Sequence, residues 1–304
     1  MMNIDYIKEN IFSRMQLPGS ALQLALFRIA LGLQILYSSS SKLLHLLLVV
    51  DGTKQTKTIF PQFLDNIVEV IAVPYLQGIV QVLSVFLVLG LFTRIILPVL
   101  FVAFLLLFGF WYNHFNAPVP WLYIWFPLLI MCFCRSADTL SLDKYFKTAN
   151  SNNELPNNVY RWPVEVISGW FAYIYFAAGL AKIFPVSKGL SWLNGGTSQE
   201  IIYDRFLDSA FYYIFGKPLF DYSSNGLVFG LLSFSSLIIE LLCVLIFFTN
   251  RYNYLLIFLV ISMHFFLYLT GVPGFMQTAL VLSICLVNSK VFNLVSHQLN
   301  YKKI

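Results

Sequence analysis

Long apolar stretches, each about the length of a membrane-crossing helix, alternate with polar connections along the chain. An α-helix rises about 1.5 Å per residue, so roughly 20 apolar residues cross the hydrocarbon core of a bilayer. On this basis the pattern predicts about eight transmembrane helices. They cover Ser20–Tyr37, Leu76–Phe92, Ile95–Tyr112, Trp121–Cys134, Trp162–Phe184, Gly226–Thr249, Tyr252–Leu269 and Val272–Val287.

Two longer connections interrupt this series. Ser136–Asn158 is polar and includes the low-complexity run NSNNELPNN. Residues 187–225 are of mixed character, and their aromatic side chains are typical of helices that lie at a membrane surface. We therefore predict an all-α, polytopic membrane helical bundle in which residues 1–304 form one membrane domain. Residues 187–225 form an outer interfacial helical segment, and no large soluble domain is expected.

The composition favours a membrane protein over a soluble one. Hydrophobic residues make up 59% of the chain and charged residues 11%, whereas soluble domains have about half and a quarter. We therefore expect membrane lipid to surround the chain. In such a chain the net charge of +5 bears on orientation in the bilayer and gives no reason to expect nucleic acid as a partner.

Lysine and arginine are unevenly distributed between the two sides of the predicted bundle. Eight spans place both termini on one side, and that side carries more of these residues, among them Arg94, Arg135, Arg161 and Arg251. The connections after the third and seventh spans, on the opposite side, carry none. Because positively charged connections tend to remain in the cytoplasm, both termini are predicted to be cytosolic.

A single lysine stands near the end of the aromatic-rich fifth span. The stretch Trp170–Lys188 reads WFAYIYFAAGLAKIFPVSK, and Lys182 comes shortly before Pro185, which favours the end of a helix. Two interpretations remain open. Either the ammonium extends to the lipid headgroups, or a dry pocket disfavours its charged form so that the neutral amine acts as a base.

Two histidines are predicted at a depth similar to that of Lys182. His114 follows Asn113 at the end of the third span, and His264 lies in the second half of the seventh. The third, fifth and seventh spans all run outward in the predicted topology. Three groups that exchange protons would then gather near the outer leaflet as a candidate catalytic site. The alternative is that each histidine is a packing residue within the bundle.

Arg28 and Glu240 are charged residues inside apolar spans, where exposure to lipid costs several kcal/mol. The structural interpretation is a buried ion pair between the two. The functional interpretation is that Arg28 holds an anionic ligand. No metal site is predicted, because the four cysteines lie within apolar stretches and show no ligand pattern.

Several short motifs occur in a recognisable order. The sequence AGLAKI at Ala178–Ile183 is followed by WLNGG, which begins at Trp192. The other motifs are LALFRIALGL at Leu24–Leu33, Asn113-His114, Ser141-Leu-Asp143, Ile239-Glu240 and His264. In order and spacing this series resembles the horizontally transferred transmembrane (HTTM) family, and AGLAKI is similar to the lysine-bearing segment of its vitamin K-dependent γ-carboxylases.

The resemblance implies a chemistry. In the carboxylases the lysine that matches Lys182 deprotonates reduced vitamin K, molecular oxygen converts the anion to an epoxide, and a strong base removes a γ-proton from peptidyl glutamate. The histidine that matches His114 assists the quinone chemistry. The implied cofactor is reduced vitamin K or a menaquinone-type naphthoquinone, and the implied partner is a peptide or protein substrate on the outer face. The implied location is a bacterial inner or plasma membrane with an extracytoplasmic active face.

Two differences separate the sequence from the carboxylases. Ala181 stands before Lys182, where they carry a second lysine, and no counterpart of their large outer domain is expected. Both differences argue against carboxylation of peptidyl glutamate and leave a membrane quinone site.

Three hypotheses follow from the sequence. The first is a quinone-linked redox or peptide-modifying enzyme with Lys182 as base. The second is a non-catalytic helper for maturation or export of a secreted peptide, which docks at Tyr203–Phe220. The third is a lipid-binding protein or transporter with Arg28 and Glu240 along its path.

Overall fold

The computed structural model describes residues 4–40, 63, 67–68, 71, 73–115, 122–146, 157–184, 186–220, 226–271 and 275–301. Every regular element in these residues is a helix, which confirms the predicted all-α class. In chain order the α-helices are α1 (Ile4–Met15), α2 (Ala21–Ser39), α3 (Val73–Leu89), α4 (Thr93–Phe115), α5 (Leu122–Cys132), α6 (Leu142–Phe146), α7 (Arg161–Ile183), α8 (Val186–Leu193), α9 (Gly196–Arg205), α10 (Ala210–Phe215), α11 (Gly226–Leu242), α12 (Asn253–Leu269), α13 (Phe275–Leu286) and α14 (Ser289–Tyr301). Short 3-10 helices cover Asn157–Tyr160, Phe206–Asp208 and Cys243–Phe247.

Several helices are suited to cross a membrane. By length and composition, four described helices qualify: Ala21–Ser39, Thr93–Phe110, Asn158–Ile183 and Gly226–Phe247. Counting Met276–Leu286 and Ser289–Gln298 as one span gives a fifth. Shorter apolar helices occupy Val73–Leu89, Tyr123–Cys132 and Asn253–Leu269. The structure is therefore consistent with an integral membrane protein, while the count of eight spans and the cytosolic termini stay predictions.

The chain divides into two compact units. The first, called here the inserted unit, contains Met1–Ser13 and Ser168–Val287. The second, called the flanking unit, contains Arg14–Ile167 and Asn288–Ile304. The prediction that one membrane domain covers the chain stays a prediction.

The core of the flanking unit forms around one face of α2. Leu24, Phe27, Leu31 and Ile35 recur at helical spacing and are buried. On the same helix, a Cβ added at Gly32 would come within 2.8 Å of the Val88 side chain on α3. A glycine therefore lets α2 and α3 approach closely, as small residues do between membrane helices.

A buried polar network joins distant parts of the sequence of the flanking unit. Glu165 accepts hydrogen bonds from Arg14, at 2.5 Å, and from Arg161. Arg161 also donates to the Ser289 hydroxyl (2.8 Å), which in turn donates to Gln23 (2.7 Å). All five side chains are buried. Two arginines thus share one carboxylate, which offsets part of the cost of removing three charges from water.

The core of the inserted unit includes the buried rings of Phe171 on α7 and Phe229 on α11. Gly195 joins α8 to α9 in the left-handed region, with φ +84°, and a Cβ there would overlap the backbone of α11 at Phe229 and Gly230. Glycine is therefore required at this turn for both its conformation and its size. The turn brings α8, which carries Trp192, against α11.

Candidate functional site

Lys182 lies in the last turn of α7, which ends at Ile183 as the nearby Pro185 predicts. Its ammonium donates a hydrogen bond to Oε1 of Glu240 on α11. The Lys182 side chain is 18% exposed and that of Glu240 is 8% exposed. The two residues therefore form a largely buried ion pair within the inserted unit.

Gly179 explains how the two helices approach closely enough for this pair to form. A Cβ at Gly179 would lie 3.1 Å from the Leu241 side chain and 3.3 Å from Cβ of Glu240. Gly179 precedes Lys182 by three residues, so both lie on the side of α7 that faces α11. Because Gly179 has no side chain, α7 and α11 lie close enough for Lys182, one turn further along α7, to pair with Glu240.

Trp192 contacts the same lysine from α8. The Lys182 ammonium nitrogen lies 4.8 Å from the centroid of the Trp192 ring, within the range of a cation–π interaction. The sequence singled out Trp192 as a binding or structural residue, and the structure places it next to Lys182. Lys182 therefore contacts a carboxylate and an aromatic ring at the same time.

The second carboxylate oxygen of Glu240 has a different environment. Glu240 is 6% exposed, and Oε2 accepts no hydrogen bond from any residue that the structure describes. A buried acceptor without a donor costs free energy, roughly 1 to 3 kcal/mol. Native proteins seldom leave such atoms unsatisfied, so Oε2 marks a position where a donor is expected.

A second pair lies in the same unit. Nε2 of His264 on α12 is 2.7 Å from the hydroxyl of Tyr175 on α7, and the two rings meet edge to face with centroids 5.7 Å apart. His264 is 5% exposed and Tyr175 is 8% exposed. His264 is therefore buried with an identified polar partner, which agrees equally with a packing role and with a role in the site.

The sequence analysis did not single out Tyr175. It precedes Lys182 by seven residues, which is about two helical turns, so the two side chains lie on the same face of α7. This spacing was the feature of the sequence that could have identified Tyr175 as a candidate residue. One face of α7 thus contributes both an acid–base hydroxyl and the lysine of the ion pair.

Asn113 and His114 belong to the last turn of α4, in the flanking unit. Their side chains lie outside the described part of the chain. The predicted gathering of His114 with Lys182 and His264 therefore stays a prediction. The residues that the structure does bring together are Lys182, Glu240 and Trp192, with Tyr175 and His264 on the same set of helices.

The predicted ion pair between Arg28 and Glu240 is wrong. Glu240 is paired with Lys182. Arg28, which is fully buried in the flanking unit, donates to the backbone carbonyl oxygens of Ser136 (2.6 Å) and Leu140 (2.5 Å). Two backbone carbonyls thus hold the guanidinium without a carboxylate, a partner type that side-chain patterns in a sequence do not reveal, while Nε of Arg28 has no hydrogen-bond partner among the described residues.

The contacts around Arg28 connect several segments of the flanking unit. Gly90 has a φ of +67°, and a Cβ there would lie 2.8 Å from Nη1 of Arg28. Asp143 accepts hydrogen bonds from the backbone N–H of Phe92 (2.7 Å) and of Thr93 (2.9 Å), and so caps the start of α4. These contacts join α2, the turn before α4 and the segment before α6. Arg28 therefore holds the flanking unit together.

The inserted unit thus holds two polar pairs among apolar helices, a carboxylate with an ammonium and a phenol with an imidazole. These groups exchange protons and form hydrogen bonds. Within the described residues, no group of three or more His, Cys, Asp or Glu side chains is placed to hold a metal ion. The prediction that the protein uses no metal is not tested by this observation. The arrangement is suited to binding and deprotonating a hydroxyl group.

Comparisons with known proteins add no relative. No protein-family model, no curated protein and no solved structure matches the chain. The resemblance to the HTTM family therefore stays a prediction.

Proposed function

We propose that the protein is an integral membrane enzyme similar to the vitamin K-dependent γ-carboxylases. It carries out the half of their reaction that involves the quinone. It binds a reduced naphthoquinone from the bilayer and removes a proton from its hydroxyl group at the Lys182–Glu240 pair. Reduced vitamin K or a menaquinone-type hydroquinone is the proposed cofactor. A peptide on the extracytoplasmic face is the proposed second substrate.

One observation carries this proposal. The Lys182–Glu240 pair is largely buried, yet the pair contains a carboxylate oxygen for which the described residues supply no donor. A stable protein has little reason to bury an incompletely bonded ion pair, because such pairs add little stability even when they are complete. A carboxylate buried within an apolar span of a membrane protein favours a functional site over a packing contact.

The surroundings of the pair suit an apolar ring with a polar edge. Trp192 contributes an aromatic ring, and the pair lies where the apolar helices α7 and α11 pack at Gly179 and Leu241. Naphthoquinones combine an aromatic body with two oxygens and are dissolved in the bilayer, from which they can enter between helices. A water-soluble substrate would have less need of a site built from apolar helices.

The test is mass spectrometry of the lipids that the detergent-purified protein retains. Wild type is compared with Lys182→Ala, with His114→Ala, and with Lys217→Ala, which removes an exposed lysine of the same unit. We expect a naphthoquinone in wild type and Lys217→Ala, and at least a tenfold smaller amount in Lys182→Ala. Ordinary phospholipid alone in all four samples would contradict the proposal.

A helper function is the second candidate, favoured by an exposed apolar surface on α9, α10 and the 3-10 helix between them. Large side chains there are 56% to 78% exposed: Tyr203, Leu207, Tyr213, Ile214 and Phe215. A helper that docks a secreted peptide on this surface would lose a co-purifying peptide when Tyr213, Ile214 and Phe215 are replaced by serine. Naphthoquinone retention would not depend on these residues.

A further inference from the structure

The two oxygens of Glu240 face different partners, and this difference limits the kind of ligand that the site accepts. Oε1 accepts from the Lys182 ammonium, whereas no described residue donates to Oε2. A ligand that binds next to Oε2 would therefore have to donate a hydrogen bond to this oxygen. Because Glu240 is 6% exposed, bulk water does not satisfy this oxygen freely.

The charges of the pair disfavour an anionic ligand. The Lys182 ammonium is already neutralised by the Glu240 carboxylate, and it also lies over the Trp192 ring. An anionic ligand near Oε2 would meet a carboxylate, whereas a neutral ligand with an O–H group meets no such penalty. A second cation would also have to leave water for a position among apolar helices, which costs more free energy than the transfer of a neutral hydroxyl group.

We propose that Oε2 of Glu240 accepts a hydrogen bond from the hydroxyl group of a neutral, apolar ligand and is the atom that receives the proton of this hydroxyl. In that step the O–H bond of the ligand breaks, its electron pair stays on the ligand oxygen, and the proton binds Oε2. The carboxyl group becomes neutral. The Lys182 ammonium, which no longer faces a carboxylate, then balances the negative charge of the ligand oxygen.

This assignment rests on the proposed function and revises one role within it. The resemblance to the carboxylases assigns the base to Lys182. In this chain Lys182 donates a hydrogen bond to the Glu240 carboxylate, and an ammonium that donates in this way holds no free electron pair with which to accept a proton. Glu240 is accordingly the proton acceptor, and Lys182 orients its carboxylate and stabilises the product anion.

The test compares two probes with the same ring system, of which only one can donate a hydrogen bond. Menadiol carries two hydroxyl groups, whereas its dimethyl ether has the same ring without O–H donors. Their binding to the purified full-length chain is measured without oxygen by quenching of tryptophan fluorescence. A charge-assisted hydrogen bond contributes about 1.5 to 3 kcal/mol. We therefore expect wild type to bind menadiol at least about tenfold more tightly than the ether.

Three variants assign this preference to one atom. Glu240→Gln keeps the shape and removes the charge, and it should reduce the preference for menadiol to about one. Glu240→Asp keeps a carboxylate and should retain part of the preference. Glu200→Gln removes an exposed carboxylate of the same unit and should bind as wild type does. Thermal unfolding of each variant shows whether it is folded.

A second measurement follows the proton itself and does not require a variant that folds. Infrared difference spectra of wild type, recorded with and without menadiol, should show a carboxylate band decrease and the band of a protonated carboxyl group increase. Addition of the ether should leave both bands unchanged. A role of Glu240 confined to structure would not produce this signature.

The outcomes separate the inference from the proposed function. Equal binding of menadiol and its ether by wild type would overturn the role of Oε2, and this result is expected if an ordered water molecule donates to that oxygen. An unchanged preference for menadiol in Glu240→Gln would overturn it as well. Dependence of naphthoquinone retention on Lys182 would still support the proposed function in that case. Wild type that binds neither probe and retains no naphthoquinone would overturn both.

Discussion

Two buried cations, Arg28 in the flanking unit and Lys182 in the inserted unit, show two ways in which a charge is held within apolar helices. Arg28 donates to two backbone carbonyls that the fold fixes in place. Lys182 donates to a side-chain carboxylate that keeps one oxygen without a described donor. The first arrangement uses fixed backbone acceptors, and the second leaves an acceptor for another molecule.

This difference teaches how to separate structural from functional charges in a membrane protein. Both residues look alike in sequence, since each is a lone basic residue in an apolar stretch. Burial separates them only by degree, since Arg28 is fully buried and the Lys182 side chain is 18% exposed. What separates them is the partner: a backbone carbonyl changes neither its charge nor its protonation, whereas a carboxylate can exchange a proton.

The largest expected effect on stability is at Arg28. Replacement by methionine preserves much of the side-chain volume but leaves the carbonyls of Ser136 and Leu140 without donors, which should lower the free energy of unfolding by about 3 kcal/mol or more. The melting temperature and yield in detergent report this loss. The fraction that folds should retain naphthoquinone as wild type does.

The matched control for Arg28 is Arg94→Met, which removes an exposed arginine of the same unit and should leave the melting temperature nearly unchanged. Arg28→Lys should restore only part of the stability, because an ammonium lacks the forked geometry that reaches two carbonyls. A stable Arg28→Met protein that loses naphthoquinone would reverse the roles assigned to the two cations.

The next effect is at the ion pair and is measured by a double-mutant cycle. Lys182→Ala and Glu240→Ala each leave a partner charge buried, so each should lower the free energy of unfolding by about 2 kcal/mol. The double variant should lose less than the sum of the two, with a coupling energy of about 1 to 2 kcal/mol. Additive losses would show that the two side chains do not interact in the folded protein.

The smallest effect is expected at Gly179. Gly179→Ala places a Cβ about 3.1 Å from Leu241, so α7 and α11 must move apart slightly, at a cost of about 1 kcal/mol. Naphthoquinone retention should fall as well, because the shift weakens the contact between Lys182 and Glu240. Gly78→Ala is the control, since a Cβ there meets no atom within 4 Å. Equal behaviour of the two variants would contradict the close approach at Gly179.

The sequence predicted the helical class and the residues that carry charge inside the apolar stretches. Periodicity and the position of Pro185 also predicted where α7 ends, and they placed Lys182 close to that end. Lys182, Trp192, Glu240 and His264 were all predicted as members of a site, and the structure gives each of them a polar or aromatic contact within the inserted unit. These features depend on local spacing and composition, which a single sequence contains.

The pairing of distant residues could not be predicted in the same way. Glu240 is near Lys182 because Gly179 allows close helix packing, and no periodic pattern reveals which helix packs on that glycine. The partners of Arg28 are main-chain atoms, which are present at every position and therefore carry no sequence signal. For the same reason the sequence alone favoured a pair between the opposite charges of Arg28 and Glu240.

The buried network around Glu165 has a consequence for biosynthesis. Gln23 and Ser289, which form one of its hydrogen bonds, are separated by 266 positions in the sequence. Contacts between such distant positions form late, because the intervening chain must first be made and its ends brought together. The whole inserted segment Ser168–Val287 leaves the ribosome before Ser289 does. The flanking unit therefore completes its polar network only after the inserted segment has been synthesised.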